Sequence, residues 1–502
     1  MDKKDREGYR KLVNALSKER SGLTVADMVA KTALPLQQVR ELAPAAADEY
    51  SGRLEVTESG EIKYSFPRGF RSKYHSLSAR IGRAAEKIGK AIGIAGKMFF
   101  KVWIMVMLIG YFVIFMALAL ASLVLSVAGS GSSSGSDSRS SGRGRGGIGG
   151  LYLASSIFNT IIRLWFYSEL FKPAESGGMF GRREKKPKGK PLHKAIFSFV
   201  FGDGDPNALW EEHEKQAVIR YIQSKQGVIS LPEFIALTGD TPSEGEGRIT
   251  RYCAEFGGMP EATDDGTVVY RFDDLLLRSE AQKNAGTATL TAPLKKLRGF
   301  SSNPGKMNTA FILVNAVNLV FGGYFLYNAA VTGTILSQLQ FDAASYLYKV
   351  TYVLLSHVVA NPSDIAGIIA VALGFVPLAF SALFWLIPAL RKIGLGKKNR
   401  TIKMENFRKR SFWKIWSSPA SVKAGDMTFP GQESQPANVS AAQNQVIKEI
   451  GIYAQPEVSI DGAGNTLYSF AELQREKDAL EKYRAAINPA AAQLGNTVFD
   501  SE

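Results

Sequence analysis

The stretch LEVTESGEIKYSF, residues 54–66, recurs in similar form twice later in the 502-residue chain. Residues 260–272 read PEATDDGTVVYRF, and residues 456–470 read PEVSIDGAGNTLYSF. Each copy has a turn that contains glycine and ends in Tyr-x-Phe. Alternating apolar positions around a glycine turn are typical of a two-stranded antiparallel ribbon. We therefore predict three ribbons, pinned to the preceding helices by Tyr64, Phe66, Tyr270, Phe272, Tyr468 and Phe470.

Short amphipathic patterns precede two of these ribbons and predict helices. They read DREGYRKLVNALSKER, LTVADMVAKTAL and PLQQVRELAPAAADEY before the first ribbon, and EEHEKQAVIRYIQSKQG, SLPEFIALTG and TPSEGEGRITRYCAEFGG before the second. Three helices followed by a ribbon resemble a winged helix-turn-helix module, here over residues 5–66 and 208–272. In the third copy, only the last helix and the ribbon are clear. The resemblance implies a small α+β fold for each module.

The charges of these modules do not favour nucleic acid as a partner. Residues 1–66 carry eleven Lys/Arg and eleven Asp/Glu, and residues 208–272 carry six and eleven. A DNA reader needs a basic face that displaces counterions from phosphates. The middle ribbon turn instead contains Asp264 and Asp265. In such a module the ribbon is called the wing. Because acidic or polar turn tips recur in all three copies, we predict that these three wings are docking surfaces for proteins.

Long uncharged segments predict transmembrane helices. Residues 102–128, 308–331 and 365–390 contain no charged residue, and at about 1.5 Å rise per residue each exceeds a ~30 Å hydrocarbon layer. Asn315 and Asn318 are polar groups that lipid would not satisfy, so we expect them to face another helix. Pro377 predicts a kink, and residues 341–360 predict a short helix on the outer membrane face.

A fourth candidate, residues 148–170, contains Arg163 and Glu169 and would either span the membrane or lie on its surface. Basic flanks decide between these alternatives. Residues 391–414, for example, carry ten Lys/Arg against one acid. With four spans, every strongly basic flank falls on one side, so we predict two transmembrane hairpins and a cytoplasmic location for both termini and the middle domain. Arg163 must then snorkel or pair.

The predicted fold class is an α-helical membrane protein with four transmembrane helices in two hairpins and small α+β winged-helix-like cytoplasmic modules. The predicted location is a bacterial inner membrane. The expected order is a module (1–67), a basic juxtamembrane segment (68–101), hairpin 1 (102–170), a basic linker (171–204), a module (205–280), a basic linker (281–307), hairpin 2 (308–390), a basic segment and linker (391–437), and a partial module with a C-terminal helix (438–502).

The segment FSFVFGDGDPNALWEEHE, residues 197–214, is the most distinctive in the chain. Its polar residues follow the spacing of a calcium loop, but Ala208 stands where that loop needs glycine. The alternative is a helix start with Asp205 as N-cap and Pro206 in the first turn. The segment also resembles one in functionally unassigned membrane proteins of bacteria and plastids, which implies no activity. The candidate metal ligands are Asp203, Asp205, Asn207, Glu211 and Glu214.

Catalytic motifs and cofactor motifs are absent from the sequence. It contains no Walker loop, no HExxH and, with Cys253 as the single cysteine, no multi-cysteine metal site. We predict a non-enzymatic membrane protein whose modules bind cytoplasmic proteins or further copies as a homo-oligomer. Basic flanks such as residues 80–101 would contact anionic lipid head groups. The alternatives are a channel or transporter gated by its modules, and a membrane-tethered transcription regulator.

Overall fold

The computed structural model describes residues 3–19, 22–66, 70, 77–129, 190–284, 292–332, 344–462, 464–488 and 493–501. The chain is mostly helical with small sheets. It divides into two compact units. The first, here called the module unit, comprises Met1–Ala84, Asp205–Arg298 and Gly396–Glu502. The second, the span unit, comprises Ala85–Gly204 and Gly299–Leu395.

The described helices and strands are numbered in chain order. The α-helices are α1 Lys3–Leu16, α2 Val25–Thr32, α3 Leu36–Tyr50, α4 Leu77–Gly129, α5 Leu192–Phe201, α6 Trp210–Ser224, α7 Leu231–Thr238, α8 Pro242–Phe256, α9 Glu280–Asn284, α10 Gly305–Thr332, α11 Tyr346–Ser356, α12 Pro362–Ile368, α13 Val376–Ser417, α14 Val439–Gly451 and α15 Ala471–Ala486. The strands are β1 Arg53–Thr57, β2 Ile62–Ser65, β3 Val228–Ser230, β4 Met259–Ala262, β5 Val268–Arg271, β6 Val422–Lys423, β7 Glu457–Ile460, β8 Thr466–Ser469 and β9 Thr497–Asp500.

The first module contains α1 to α3 and the ribbon β1–β2. Thr24 and Asp27 form a capping box that starts α2, which satisfies backbone donors that the helix itself leaves free. The ribbon pairs antiparallel, with Leu54 opposite Tyr64. The C-terminal strand β9 pairs with the other edge of β1. The sheet order is therefore β2-β1-β9, and the sequence did not predict its third strand.

The second module contains α6, α7 and α8 and the ribbon β4–β5. Strand β3 lies between α6 and α7, was not predicted, and pairs with β5 to give the order β3-β5-β4. The predicted helix start at Asp205 is wrong, because α6 begins only at Trp210. The Asp205 carboxylate instead accepts a hydrogen bond from the backbone N–H of Asn207 at 3.0 Å, which closes a turn before the helix.

The third module includes the C-terminal end of the long helix α13. The last turns of α13 lead into β6, a 3-10 turn at Ala424–Asp426, α14 and the ribbon β7–β8. Its sheet order, β6-β8-β7, matches β3-β5-β4 in the second module. The range 391–437, predicted as a juxtamembrane segment and linker, thus contains ordered parts of this module. Helix α15 follows the ribbon.

The ribbon ends anchor each sheet in the core. Phe272 and Phe470 are fully buried, and Tyr64 and Phe66 are buried in the first module. Tyr270 and Tyr468 are only partly buried and pack against the core. In the second and third modules the terminal phenylalanine is therefore the main apolar anchor, whereas both aromatic rings are anchors in the first, since burying an aromatic ring removes a large apolar area from water.

The three modules of the module unit share one hydrophobic core. Leu12 and Val29 of the first module, Ile222 of the second, and Phe407 and Val446 of the third belong to a single cluster of buried side chains. Helices α2 and α6 are in contact, as are α3 and α8. A shared core makes the stability of each module depend on its neighbours.

The described part of the chain contains three helical segments that are long and apolar enough to cross a membrane: Gly93–Ser126, Gly305–Val331 and Pro362–Ser417, of which the last continues into the module unit after Leu395. The predicted fourth span at 148–170 lies outside the described residues. Helix α5 adds Phe199 to a core that contains Leu108, Phe311 and Phe384 from the three segments. Helix α11 lies within the range 341–360 and packs with α10 through Tyr348 and Phe325.

A π-helical turn, Ile369–Phe375, comes directly before Pro377. Proline lacks an N–H and perturbs the helical hydrogen bonds one turn earlier, and π turns are one way to accommodate this. Within this turn, Gly374 faces α10. A Cβ atom at Gly374 would lie 2.9 Å from the Leu326 Cα atom, so only glycine allows this separation. Close contacts through small residues are typical of membrane helix packing.

We predict that Gly374→Ala destabilises the span unit, because the added methyl group would collide with the α10 backbone. Overpacking of this kind costs about 1–3 kcal/mol. Gly367→Ala is the matched control, since a Cβ there has nothing within 4 Å. Thermal melts of the detergent-solubilised full chain should show a lower midpoint for Gly374→Ala alone. Equal midpoints for both variants would contradict the close packing.

Candidate functional site

A charged cavity of about 510 Å³ lies within the module unit. It is lined by α6, α8, the loop before α8, the segment around Lys295, and α13. Its wall contains equal numbers of acidic and basic side chains. The acids are Glu211, Glu214, Asp240, Glu244, Glu255 and Glu405, and the bases are Lys215, Arg248, Arg251, Lys295, Arg408 and Lys409.

Helical spacing brings these side chains to the cavity. Residues three, four or seven positions apart lie on the same face of an α-helix. Each of the three helices contributes a set with this spacing. The sets are Glu211, Glu214 and Lys215 on α6, Arg248, Arg251 and Glu255 on α8, and Glu405, Arg408 and Lys409 on α13.

The centre of the cavity wall is a buried ion pair between Glu214 and Lys409. Their side chains are 7% and 4% exposed, and Nζ of Lys409 lies 3.0 Å from a Glu214 carboxylate oxygen. The same ammonium group donates to the Pro293 carbonyl oxygen at 3.0 Å and lies 4.8 Å from the Trp210 ring centroid. A buried ion pair is tolerated only when such further contacts satisfy both charges.

A second cation extends this pair into a network. Arg248 donates to the other carboxylate oxygen of Glu214 at 2.7 Å and to both oxygens of Asp240 at 2.8 and 2.6 Å. Burial favours a neutral Glu214, but the nearby Lys409 and Arg248 outweigh it and hold the pKa of the Glu214 carboxyl below its ordinary value. Glu214 is therefore ionised at neutral pH and links α6, α8 and α13.

The candidate metal ligands engage different protein groups. Glu214 belongs to the ion-pair network, and Glu211 is exposed beside Lys215. Asp205 pairs with Arg298, while the Asn207 side chain bonds both backbone groups of Lys296. Within the described part of the chain, no group of three or more His, Cys, Asp or Glu side chains is placed to hold a metal ion.

Asp203 organises the segment after α5 in the span unit. Its carboxylate accepts hydrogen bonds from Lys190, from the Ser198 hydroxyl at 2.8 Å and from the Ser302 backbone N–H at 2.7 Å. Burial opposes ionisation, but these donors outweigh it and lower the pKa of Asp203 to about 2. The GDGD sequence thus forms a turn held by a carboxylate, which explains its distinctive composition without a ligand.

The ribbons of the first two modules contact elements from the C-terminal part of the chain. Strand β9 lies along the first ribbon, where Arg53 pairs with Asp500. On the second ribbon, Asp265 lies 3.6 Å from Lys482 of α15, and Glu261 accepts a hydrogen bond from Tyr483. Asp264 is exposed. Two of the three ribbons therefore already contact other segments of the chain.

Where the structure describes them, the polar residues predicted within the spans form hydrogen bonds between helices. Asn315 is fully buried and donates to the Ser381 carbonyl oxygen of α13 at 3.0 Å. Asn318 is 1% exposed and donates to the Leu108 carbonyl oxygen of α4 at 2.7 Å. Interhelical hydrogen bonds of this type stabilise membrane bundles. Arg163 lies outside the described residues.

The chain is similar to a known plant protein. The chain is 24% identical over 411 residues to a protein of Arabidopsis thaliana named as an uncharacterized chloroplastic protein, a match that covers 79% of this chain and 70% of the relative. No protein-family model matches the chain. No solved structure matches it either. The chain is thus similar to a functionally unassigned plastid protein, in agreement with the resemblance of residues 197–214.

The sequence interpretation missed the cavity because it counted Arg408 and Lys409 as part of a basic membrane flank. A further signal was available in the same stretch. Phe407, Phe412 and Ile415 recur at helical spacing and are buried in the core. An apolar face of this kind indicates a helix that packs against protein rather than a solvated collar, so Arg408 and Lys409 lie on a packed helix.

We predict that Glu214→Gln lowers stability at pH 7 by about 3–5 kcal/mol, because it leaves the buried Lys409 charge without its partner. The folded-state pKa of Glu214 lies below its ordinary value of 4.5. Its stabilising contribution is therefore complete above that value and is lost as the pH falls further. Denaturation curves of the full chain from pH 7 to pH 3 should show the gap between wild type and variant shrinking below about pH 4.5. A gap that stays constant with pH would contradict the ion pair.

Proposed function

We propose that this protein is a non-enzymatic integral membrane protein whose three winged-helix-like modules bind proteins, including further copies of itself, at the membrane. The proposal rests on the contacts that the first two wings make. The first wing adds strand β9 to its edge, and the second wing contacts α15 through Lys482 and Tyr483. Strand addition to a sheet edge is a recurring mode of peptide recognition.

The helices that a DNA reader would place in the major groove support this proposal. In the first module, α3 contacts α8, and Arg40 of α3 lies 3.2 Å from Asp274. In the second module, α8 lines the charged cavity and exposes Glu244 and Glu246 near its start. Acidic side chains at that end of the helix would repel the polyanionic backbone of DNA. Packing against protein is therefore the better use of both helices.

The third wing provides the free surface that partner binding requires. All four residues of β7 are exposed, and β7 is an edge strand of its sheet. Val458 and Ile460 are 63% and 75% exposed, and nearby Ile452 is 81% exposed. An exposed edge strand with apolar side chains is a ready template for strand pairing.

The membrane topology of this proposal has four spans. Residues 3–66 and 210–284 share one core, so both must lie on the same side of a membrane. The described chain between them contains one candidate span, Gly93–Ser126. An even number of crossings is required, and the predicted span at 148–170 would supply the second one. Basic flanks favour the cytoplasmic side for the modules.

The proposed membrane is an inner membrane of bacterial type or the equivalent plastid membrane. The plastid alternative is supported by the relative, whose name includes the word chloroplastic. A role as a channel receives less support than an anchor. The side-chain amides of Asn315 and Asn318 donate hydrogen bonds to backbone carbonyl oxygens of neighbouring helices. Such contacts are typical of a packed bundle.

We predict that the double variant Val458→Lys and Ile460→Lys reduces association without unfolding the third module, since both side chains are exposed and two ammonium groups on an edge strand oppose strand pairing. The measurement is the mass distribution of detergent-solubilised complexes by light scattering, together with a thermal melt. Leu209→Lys is the control, because Leu209 is 61% exposed on the second module outside its wing. Unchanged complexes in the double variant would rule out the third wing as the association surface.

We also predict that the modules and the α11–α12 connection lie on opposite sides of the membrane. In a Cys253→Ser background, cysteine at exposed Ser363 should react with an impermeant maleimide applied outside intact cells, whereas cysteine at exposed Ser243 should react only after lysis. Outside labelling of the Ser243 position would contradict the four-span topology.

A further inference from the structure

The charged cavity carries an inference that does not depend on the proposed function. Its acidic groups are engaged by the protein itself. Glu255 lies 2.7 Å from Lys215, Glu405 pairs with Lys295, and Glu244 accepts from the backbone N–H and hydroxyl of Thr241 at 3.0 and 2.8 Å. Glu211, Glu214 and Asp240 are held by the lysine and arginine side chains described above. The wall therefore offers little free acceptor capacity.

Two donors on α8 remain available. Within the described residues, no ion-pair or hydrogen-bond partner is found for the guanidinium group of Arg251, which is exposed at the cavity. Next to it, Tyr252 is 2% exposed, and no acceptor for its hydroxyl proton is found among the described residues, although the Arg248 guanidinium group lies near its oxygen as a donor. Nearby Arg248 has only N–H donors and cannot accept the hydroxyl proton. A buried hydroxyl without an acceptor costs free energy.

The acidic side chains of the wall are engaged, whereas, within the described part of the chain, the donors of Arg251 and Tyr252 are free. The cavity therefore favours a ligand that has hydrogen-bond acceptors. Arginine recognises carboxylate and phosphate groups through two parallel hydrogen bonds. The Trp210 ring offers little free surface, since the ammonium groups of Lys409 and Lys295 lie 4.8 and 5.6 Å from its centroid. An aromatic ligand therefore gains little here.

We propose that this cavity is a binding site for a small non-aromatic anion that carries a carboxylate or phosphate group. Arg251 pairs with the anion at the mouth, and the Tyr252 hydroxyl donates to it from the interior. The volume of about 510 Å³ falls within the range of about 300–1,000 Å³ that is usual for small-molecule sites. Because α8 and α13 both line the cavity, the ligand would contact the second and third modules together.

Isothermal titration calorimetry on the detergent-solubilised full chain tests the proposal, with citrate and inorganic phosphate as soluble probes. The buffer should be Tris-chloride, since phosphate and sulfonate buffers are themselves competing anions. A second arm repeats the titration in nanodiscs of phosphatidylcholine and in nanodiscs of phosphatidylglycerol. Loss of the binding heat in phosphatidylglycerol alone identifies a lipid head group as the occupant, whereas saturable binding of similar affinity in both lipids assigns the site to a free anion.

Three variants locate the binding. Arg251→Gln should weaken binding of the soluble probe at least tenfold, and Tyr252→Phe should weaken it severalfold while it keeps the buried ring. Arg220→Ala is the control, because Arg220 is an exposed arginine of the same module that does not line the cavity. Thermal melts confirm that each variant is folded. The proposal is overturned if neither probe binds in detergent or in phosphatidylcholine nanodiscs, or if Arg220→Ala weakens binding as much as Arg251→Gln.

Discussion

The organisation of this protein depends on a single hydrophobic core built from three distant parts of the chain. Residues near the N-terminus, in the middle and near the C-terminus contribute Leu12, Ile222 and Val446 to one cluster. Burial of apolar surface is the main favourable term in folding, so none of these segments reaches its full stability alone.

Polar contacts determine how the modules fit within that core. Apolar packing is not directional, but the Glu214–Lys409 pair is, because both charges are buried and need defined partners. Asp27 of the first module adds a similar constraint, since its carboxylate accepts from the backbone N–H of Ser279 at 3.0 Å. Arg484 of α15 also donates to Glu233 at 2.6 Å. Misaligned modules would leave these buried charges unpaired, which is a strong penalty against other arrangements.

Sequence patterns predicted the elements that have their own local signals. The Tyr-x-Phe ribbons, the helices α2 and α7 with their capping boxes, and three apolar spans all follow from periodicity and turn chemistry. The strands β3 and β6 could not be predicted, because they contain only three and two residues. Strand β9 and the cavity depend on contacts between residues far apart in the sequence, such as Arg53 with Asp500, for which one sequence gives no local signal.

The pairing of β9 with β1 has a consequence for the order of events during synthesis. Strand β1 is synthesised long before its partner strand β9, which is complete only when residues 497–500 have been made. During that interval the β1 edge has free backbone donors and acceptors, and open edges invite pairing with the wrong strand. Closing so long a loop also carries an entropy cost. A nascent chain of this protein therefore has an exposed pairing site while residues 58–496 are translated, which makes protection by chaperones valuable to the cell.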